Sequence, residues 1–477
     1  MNQNNISAAE LFQRVRELLT LPDLEAKTRN KMMHDTLILC CHEGVKDTKQ
    51  AFGNLFSQVD YLCKARGIKV ADKIAIQTMR RHSNSQEPLS GEDLKYDARA
   101  LTLFISAVFE ERIPHEVNVL IPHINRPFQK GLEINNRRIR CIVKNWDSDF
   151  IRVDIDQDAD EEEYLVRLKD EENHIDHTYL WDLLKEGMQL NLLDCQVKQP
   201  IITPRLIVVE PDYLVDISSI AICFTAFGHH PLLYLLNLMK PRANTQATLL
   251  GNFAGAALDD IINSHGKYQV NETVKSNFRE KALEFCTCPW FDAKKFYTDA
   301  SLQAFNLQQV VDILFPRTAS QAKMSAFRGE SLYDRKKAIL EPSFVCEALG
   351  IQGRVDLMTT DCKLLVEQKS GRNMNIETHQ VDPGYHSYQL EPHYVQLLLY
   401  YGVLQHNFKL SNDRVNIRLL YSKYQPQDGL MVVAYYQKLF KEAIEYRNQL
   451  VAASFEIAKE GFEHALNEFT PEVLNVA

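Results

Sequence analysis

The stretch that decides the fold runs Gly353-Arg354-Val355-Asp356-Leu357-Met358 and, after a short polar segment, Leu364-Leu365-Val366-Glu367-Gln368-Lys369-Ser370-Gly371. The second part is typical of a β-strand, because aliphatic and β-branched residues end at a Ser-Gly pair. Residues two apart in a strand point to the same face, so Glu367 and Lys369 project together. If the hairpin loop is Asp361-Cys362, Asp356 lies opposite Glu367 and one hairpin gathers all three side chains. Other registers remain open, and a slip of one residue would separate the three.

These residue types suit one kind of chemistry. Carboxylate oxygens are hard ligands that favour Mg²⁺ or Mn²⁺. A bound metal makes hydroxide available near neutral pH and offsets the charge of a phosphodiester. A lysine two residues further along can position the nucleophile or stabilise developing charge. The alternative is a surface hairpin with an ordinary Glu–Lys pair, which contributes little.

Two other segments bear on the choice. The apolar segment His393–Gly402 predicts a helix, on which Gln396 and Tyr400 share a face at spacing i, i+4. The alternative is an ordinary buried helix whose tyrosine finds a hydrogen bond. Residues 250–260 predict another helix with glycine and alanine at close-packing positions, for which plain helix packing is the alternative.

Together these residues resemble the PD-(D/E)xK nuclease superfamily, and within it the RecB-like branch of helicase-linked and CRISPR-adaptation nucleases. That branch carries, in order, a G-x-x-x-H helix, a G-x-x-D strand, a (D/E)-x-K strand and a Q-x-x-x-Y helix. The last three elements match, in pairs, Gly353 with Asp356, Glu367 with Lys369, and Gln396 with Tyr400. The resemblance covers about residues 213–430.

The resemblance implies a metal-dependent DNA nuclease that hydrolyses phosphodiester bonds in single-stranded or branched DNA ends, in DNA repair, recombination or defence. It implies Mg²⁺ or Mn²⁺ held by Asp356 and Glu367, with Glu341 as a further ligand. A helicase, fused or separate, is the implied partner beside DNA. The implied catalytic residues are Asp356, Glu367, Lys369, Gln396 and Tyr400.

The chain departs from the pattern of the branch at the first motif. Gly255 stands where the G-x-x-x-H helix carries its histidine. Asp259, one turn further on, and Asp260 are candidates to replace it. The other possibilities are a site that binds one metal where relatives bind two, and a weak site. Some members of the branch bind an iron–sulfur cluster through cysteines after the core, but no cysteine follows Cys362, so we expect no such cluster.

The organisation along the chain predicts a multidomain α/β protein. We expect a helical domain over 1–112, a β-rich, barrel-like domain over 113–212 whose pattern is compatible with the oligonucleotide-binding (OB) type, and a nuclease-like mixed sheet flanked by helices over 213–477. The predicted helices of the first region are Ser7-capped to Thr20, Leu24–His42, Thr48–Ala65, Val70–Arg81 and Gly91–Arg112. The predicted strands of the second are Val117–Ile121, Ile139–Val143, Phe150–Ile155, Tyr164–Leu168, Leu190–Leu193 and Leu206–Val209, with a helix over Tyr179–Glu186. In the third, Asn416–Ser422 predicts a strand and Met431–Phe469 one long helix.

Composition sets the broad class. The 477 residues are 45% hydrophobic and 25% charged, which is ordinary for a globular protein. A net charge of −9 argues against bulk nucleic-acid binding but leaves room for a local basic groove. No apolar run approaches a membrane span, no signal region follows the N-terminus, and ten scattered cysteines fit free thiols, so we expect a cytoplasmic protein without a membrane partner. No P-loop motif is present.

Three hypotheses follow. The first is the metal-dependent DNA nuclease. The second is a catalytically weak or inactive nuclease-fold protein that binds DNA or acts as a scaffold. The third is a restriction-type endonuclease, for which no base-reading element is evident.

Overall fold

The computed structural model describes residues 6–21, 25–85, 89–126, 132–155, 163–241, 244–264, 267–379, 388–410, 414–467 and 469–470.

Helices dominate the N-terminal region. The first is capped as its sequence predicts: the Ser7 backbone N–H donates to the Glu10 carboxylate at 2.8 Å, and the Ser7 hydroxyl accepts from the Glu10 N–H. The helices pack their apolar faces into a shared core. They are α1 (Ala8–Thr20), α2 (Ala26–Val45), α3 (Leu55–Ala65), α4 (Val70–Ser83), α5 (Gly91–Phe109) and α6 (His115–Asn118).

Two predictions in this region are wrong. The start of the predicted Thr48–Ala65 helix is instead a two-residue strand, β1 (Ala51–Phe52), which joins a sheet built by the C-terminal part of the chain. The predicted strand Val117–Ile121 is α6 and a turn. Val117 and Ile121 are buried whereas Val119 is 60% exposed, which is the i, i+4 pattern of a helix and not the alternation of a strand.

A closed five-stranded barrel follows. Its strands pair in the order β2-β3-β4-β8-β7, with β7 returning to β2, and only the β4–β8 pair is parallel among these described strands. The predicted helix over Tyr179–Glu186 is reduced to a single 3₁₀ turn, Thr178–Leu180, because Leu180 and Leu184 fold into the barrel core. The strands are β2 (Asn136–Trp146), β3 (Phe150–Ile155), β4 (Tyr164–Arg167), β5 (Lys169–Asp170), β6 (Ile175–Asp176), β7 (Gln189–Lys198) and β8 (Ile201–Val209).

A mixed six-stranded sheet forms the centre of the C-terminal part, in the order β1-β18-β17-β16-β15-β12. A three-stranded sheet, β13-β14-β9, and a short hairpin, β10-β11, lie beside it. The strands are β9 (Val215–Asp216), β10 (Phe224–Thr225), β11 (Gly228–His229), β12 (Ala338–Leu340), β13 (Ser343–Cys346), β14 (Ile351–Arg354), β15 (Leu357–Thr359), β16 (Leu364–Lys369), β17 (Asn416–Tyr421) and β18 (Leu430–Val433).

Helices cover both faces of the six-stranded sheet. Leu365 belongs to a core shared with α15 and α17, whereas Leu364 and Val366 belong to a core shared with α9 and α12. The predicted helix Met431–Phe469 is wrong at its start, because Leu430–Val433 pairs with β17 as a buried strand. The helices are α7 (Ile217–Ala221), α8 (Leu232–Met239), α9 (Gln246–Asn263), α10 (Val270–Glu280), α11 (Ala282–Cys286), α12 (Ala293–Leu314), α13 (Ala319–Phe327), α14 (Met374–Thr378), α15 (Glu391–Phe408), α16 (Pro426–Gly429), α17 (Gln437–Glu460) and α18 (Phe462–Leu466).

A buried arginine ties the barrel to helix α17. The Arg447 guanidinium on α17 donates to the carbonyls of Gly350 at 3.1 Å and Tyr213 at 2.6 Å, and also to the Val209 carbonyl at the end of the barrel. Burial lowers the pKa of Arg447 to about 9. Carbonyl dipoles from three segments thus satisfy a cation that has left water, and they fix the barrel against α17.

None of the described helices is long and apolar enough to cross a membrane.

Candidate active site

The register of the β15–β16 hairpin is as predicted. Leu357 pairs with Val366 and Met358 with Leu365, so one further step places Asp356 opposite Glu367. The predicted two-residue loop is too short, however, since both strands end at a four-residue connection, Thr360–Lys363. The Thr359 hydroxyl closes this connection by accepting from the backbone N–H groups of the residues that lead into β16.

Lys369 joins the hairpin to α15. Its ammonium donates to Glu367 Oε1 and to Gln396 Oε1, both at 2.8 Å. Glu367 and Lys369 are in phase with Leu365, whose side chain packs on the α15 side of the sheet. The alternation of the strand therefore delivers both charged groups to the face that Gln396 approaches.

Tyr400 holds the far end of this network. Its hydroxyl donates to the Arg354 carbonyl at 2.6 Å, and Gln396 Nε2 lies 3.5 Å from the same hydroxyl. Gly353 makes room for the ring, because a Cβ at that position would lie 2.9 Å from Tyr400 Cε1. The glycine of the G-x-x-D strand is thus explained by the close approach of the tyrosine.

The two carboxylates of the hairpin lie in a site with little access to water. Glu367 is 2% exposed, and its Oε2 atom has no hydrogen-bond partner among the described residues. Burial, and next the charge of Asp356, raise the pKa of Glu367 to about 8. Burial also raises the pKa of Asp356, although its Oδ2 accepts a 2.6 Å hydrogen bond from the Gln368 N–H. Lys369 acts to lower the pKa of both carboxyl groups, but its single charge does not offset the effect of their burial.

Helix α9 carries a third carboxylate, that of Asp259, close enough to feel the charge of Asp356. Burial and the charges of Glu341, Asp260 and Asp356 raise the pKa of Asp259 to about 7. Asp260 is exposed and accepts a hydrogen bond from Thr273, on α10. Of the two predicted substitutes for the missing histidine, Asp259 is therefore the one whose charge is felt in the site.

There is open space at Gly255, the position where the resemblance expects a histidine. A Cβ at Gly255 would meet no described heavy atom within 4 Å, whereas a Cβ at Gly251 would lie 3.2 Å from Ser370 Oγ. Helix α9 therefore passes close to the residue after β16 at Gly251 and leaves space at Gly255.

Glu341, the predicted further ligand, lies near Asp356 but has a partner of its own. Its N–H donates to the Asp356 carbonyl at 3.0 Å, and its carboxylate pairs with Arg354 at 3.0 Å on a largely exposed surface. Its charge nevertheless contributes to the raised pKa of Asp356.

The fit to a metal ion depends on what completes the shell. In the described part of the chain, no three His, Cys, Asp or Glu side chains form a group that could hold a metal ion. Mg²⁺ does not require such a group, because it commonly binds one or two carboxylates and takes its other ligands from water and phosphate. Asp356 and the unpartnered Glu367 Oε2 supply that pair of carboxylates, so the donor set fits.

His393 is the residue near the site that the sequence pattern missed. His393 lies about one helical turn before Gln396 on α15. Its Nδ1 lies 3.1 Å from the Tyr421 hydroxyl. Burial, and next the charge of Lys369, lower the pKa of His393 to about 3, so the ring is neutral. The signal was its i−3 spacing from Gln396, which places it on the same helix face.

No protein-family model matches the chain, and no curated protein matches it.

Proposed function

We propose that the protein is a metal-dependent DNA nuclease of the PD-(D/E)xK type that hydrolyses phosphodiester bonds in single-stranded or branched DNA. The observation that carries the proposal is the pair of 2.8 Å hydrogen bonds from Lys369 to Glu367 and Gln396. In a surface Glu–Lys pair, water surrounds both groups. Here the glutamate is 2% exposed and the lysine is also held from a second element, an arrangement that costs stability and therefore favours a functional role.

Asp356 and Glu367 would hold Mg²⁺ or Mn²⁺, and the bound ion would offset phosphate charge and make hydroxide available near neutral pH. The chain's own contribution is positional. An ammonium has three N–H donors, and Glu367 and Gln396 occupy two of them at Lys369. The third remains for a water molecule or a phosphate oxygen. Tyr400 holds Gln396 and the Arg354 carbonyl in place, which fixes where that donor points.

The barrel supports DNA as the substrate. The last barrel strand along the chain, β8, lies between β4 and β7 in the closed five-stranded barrel. This strand order is the Greek-key form of the OB fold, which binds oligonucleotides. We assign the barrel to this type. We also place the protein in DNA repair, recombination or defence in the cytoplasm, and expect it to act with a helicase, since members of the RecB-like branch often do.

The test is cleavage of labelled single-stranded and flapped DNA with Mg²⁺ or Mn²⁺. Lys369→Ala is expected to lower the cleavage rate at least about a hundredfold while DNA binding persists, because the substitution removes a charge aimed at the reacting group. Lys363→Ala is the matched control, since this lysine of the same hairpin is 68% exposed and lies 4.0 Å from its nearest carboxylate. Equal cleavage by the native chain and Lys369→Ala would refute the assignment.

The second candidate is a DNA-binding or scaffold protein with an inactive nuclease fold. Gly255 in place of the motif histidine, with open space around it, favours this candidate. It predicts DNA binding that is independent of metal, and no cleavage by the native chain with either metal.

A further inference from the structure

A cavity of about 510 Å³ lies apart from the carboxylate site. We call it the α15–α17 pocket, because the first turns of both helices line it together with the end of α4 and the hairpin β10–β11. Its wall includes Phe56, Arg80, Arg81, His229, Tyr436 and Lys438.

The pocket and the carboxylate site use different faces of α15. Tyr394 lines the pocket, whereas Gln396 contacts Lys369. Since successive helical residues are about 100° apart, these two side chains leave the helix in nearly opposite directions. The pocket is therefore a separate site.

Three cations in the pocket wall have no carboxylate partner in the part of the chain that the structure describes. Among the described residues, no acidic side chain forms an ion pair with Arg80, Arg81 or Lys438. The two arginines have neutral partners: Arg80 Nε donates to Gln77 Oε1 at 2.8 Å, and the Arg81 guanidinium donates to Thr78 Oγ1 at 3.1 Å. Arg80 is partly buried over the Phe56 ring, and burial lowers its pKa. A partly buried cation without a counter-ion is costly, and an anion in the cavity would remove that cost.

The acidic groups of the pocket are already engaged. His229 lies 2.6 Å from the Glu442 carboxylate and 3.1 Å from that of Glu391. Burial acts to lower its pKa, but the hydrogen bond with Glu442 and the close carboxylate of Glu391 raise the pKa of His229 to about 9, so the ring is protonated at neutral pH. The pocket thus keeps an excess of positive charge.

The N-terminus of α17 adds to this charge. The helix has 24 residues, and its N-cap, Tyr436, makes no side-chain cap hydrogen bond. The N–H groups of the first turn, which donate no cap hydrogen bond to the Tyr436 side chain, and the positive end of the helix dipole therefore lie at the pocket, beside Lys438. Helix N-termini combined with basic side chains are common phosphate sites.

The aromatic rings and the volume of the pocket suit a ligand that is larger than a phosphate ion. Phe56 and Tyr436 lie with their ring centroids 5.4 Å apart on the same wall. The cavity has room for a base and sugar as well as a phosphate, and flat heterocycles stack on such rings.

We propose that the α15–α17 pocket binds a nucleotide, with its base beside the Phe56 and Tyr436 rings. Its phosphate lies against Arg81, Lys438 and the first turn of α17. The nucleotide is either free in solution or one unit of a single strand, since both present the same chemistry. The site does not depend on nuclease activity.

The experiment measures binding of a fluorescent mononucleotide and of a short labelled single strand in EDTA, with inorganic phosphate as competitor. The double variant Arg81→Ala/Lys438→Ala is expected to weaken binding at least about tenfold, because it removes two charged phosphate contacts. Both side chains are exposed, so the melting temperature of the variant should match that of the native chain. Lys275→Ala, at a cation 61% exposed on α10, is the control and should bind as the native chain does.

Each outcome of this experiment either supports or refutes the proposal. Mononucleotide binding that weakens in the double variant supports a site for a free nucleotide. Binding of the strand alone, with the same loss, supports a site for one unit of DNA. If the native chain binds neither probe, or binds them as the double variant does, the proposal fails. It also fails if Lys369→Ala removes binding as strongly, because that would place the ligand at the carboxylate site.

Discussion

The substitution Gly353→Ala tests the packing on which the carboxylate site depends. The new Cβ would lie 2.9 Å from Tyr400 Cε1 and 3.2 Å from Ile217 Cδ1, where carbon atoms prefer about 3.5–4.0 Å. Tyr400 is 3% exposed and its hydroxyl is bound to the Arg354 carbonyl, so the ring has little freedom to move away.

The magnitude follows from two opposing effects. Overpacking a core costs about 1–3 kcal/mol. Replacing glycine by alanine returns roughly 0.4–1 kcal/mol by restricting the unfolded chain. We therefore expect Gly353→Ala to lower the free energy of unfolding by about 1.5 kcal/mol, which corresponds to a melting temperature lower by roughly 2 °C for a chain of 477 residues. Cleavage should fall as well, because a displaced Tyr400 moves Gln396 and with it Lys369.

The assay is thermal unfolding of matched variants. Gly255→Ala is the control: it adds the same methyl group where no described atom lies within 4 Å, and in a helix interior it should stabilise by about 1 kcal/mol. In a Tyr400→Ala background, the cost of Gly353→Ala should drop by more than half, since the ring is gone. If the two glycine substitutions shift the melting temperature by the same amount in the same direction, the close-packing argument is wrong.

Two further predictions concern charges away from the carboxylate site. His229 has a folded-state pKa of about 9 against 6.5 in the unfolded chain, so its ion pairs stabilise fully below pH 6.5 and are lost as the pH rises through 9; His229→Gln should flatten that part of the melting-temperature profile. Glu330→Gln should lower the free energy of unfolding by about 3 kcal/mol in a denaturation experiment, because the Arg418 guanidinium, 2% exposed, would lose its carboxylate. Glu272→Gln, at an exposed pair, should change it by less than about 0.5 kcal/mol.

The sequence predicted the hairpin because several local signals agree there. The aliphatic run that ends at Ser370-Gly371 identifies the strand. Its pairing with the preceding strand places Asp356 opposite Glu367 and so determines which side chains meet. The loop was longer than predicted, yet the register survived, because adding one residue to each side of a loop leaves the pairing unchanged. The spacing of Gln396 and Tyr400 likewise predicted a shared helix face.

Segments whose structure depends on distant partners were not predictable in the same way. Leu430–Val433 has the apolar content of a helix start, but it is a strand because β17 lies ready to pair with it. Ala51–Phe52 is a strand only because β18 offers a free edge. The α15–α17 pocket draws its cations from residues more than 350 positions apart, and no spacing along the chain indicates that they meet.

In the proposed nuclease site, Gly255 and Asp259 would take the place of the histidine that the resemblance expects, and this would change the charge of the site as well as its ligands. A histidine would supply a neutral ligand, whereas Asp259 supplies a carboxyl group whose pKa is raised to about 7 by burial and by the nearby charges of Glu341 and Asp356, so it adds a negative charge above neutral pH. A DNA phosphate that approaches this cluster without a cation meets mainly repulsion. DNA binding at the carboxylates should therefore require a divalent metal, whereas binding in the α15–α17 pocket should persist in a chelator. Metal dependence is thus the property that separates the two sites in a single titration.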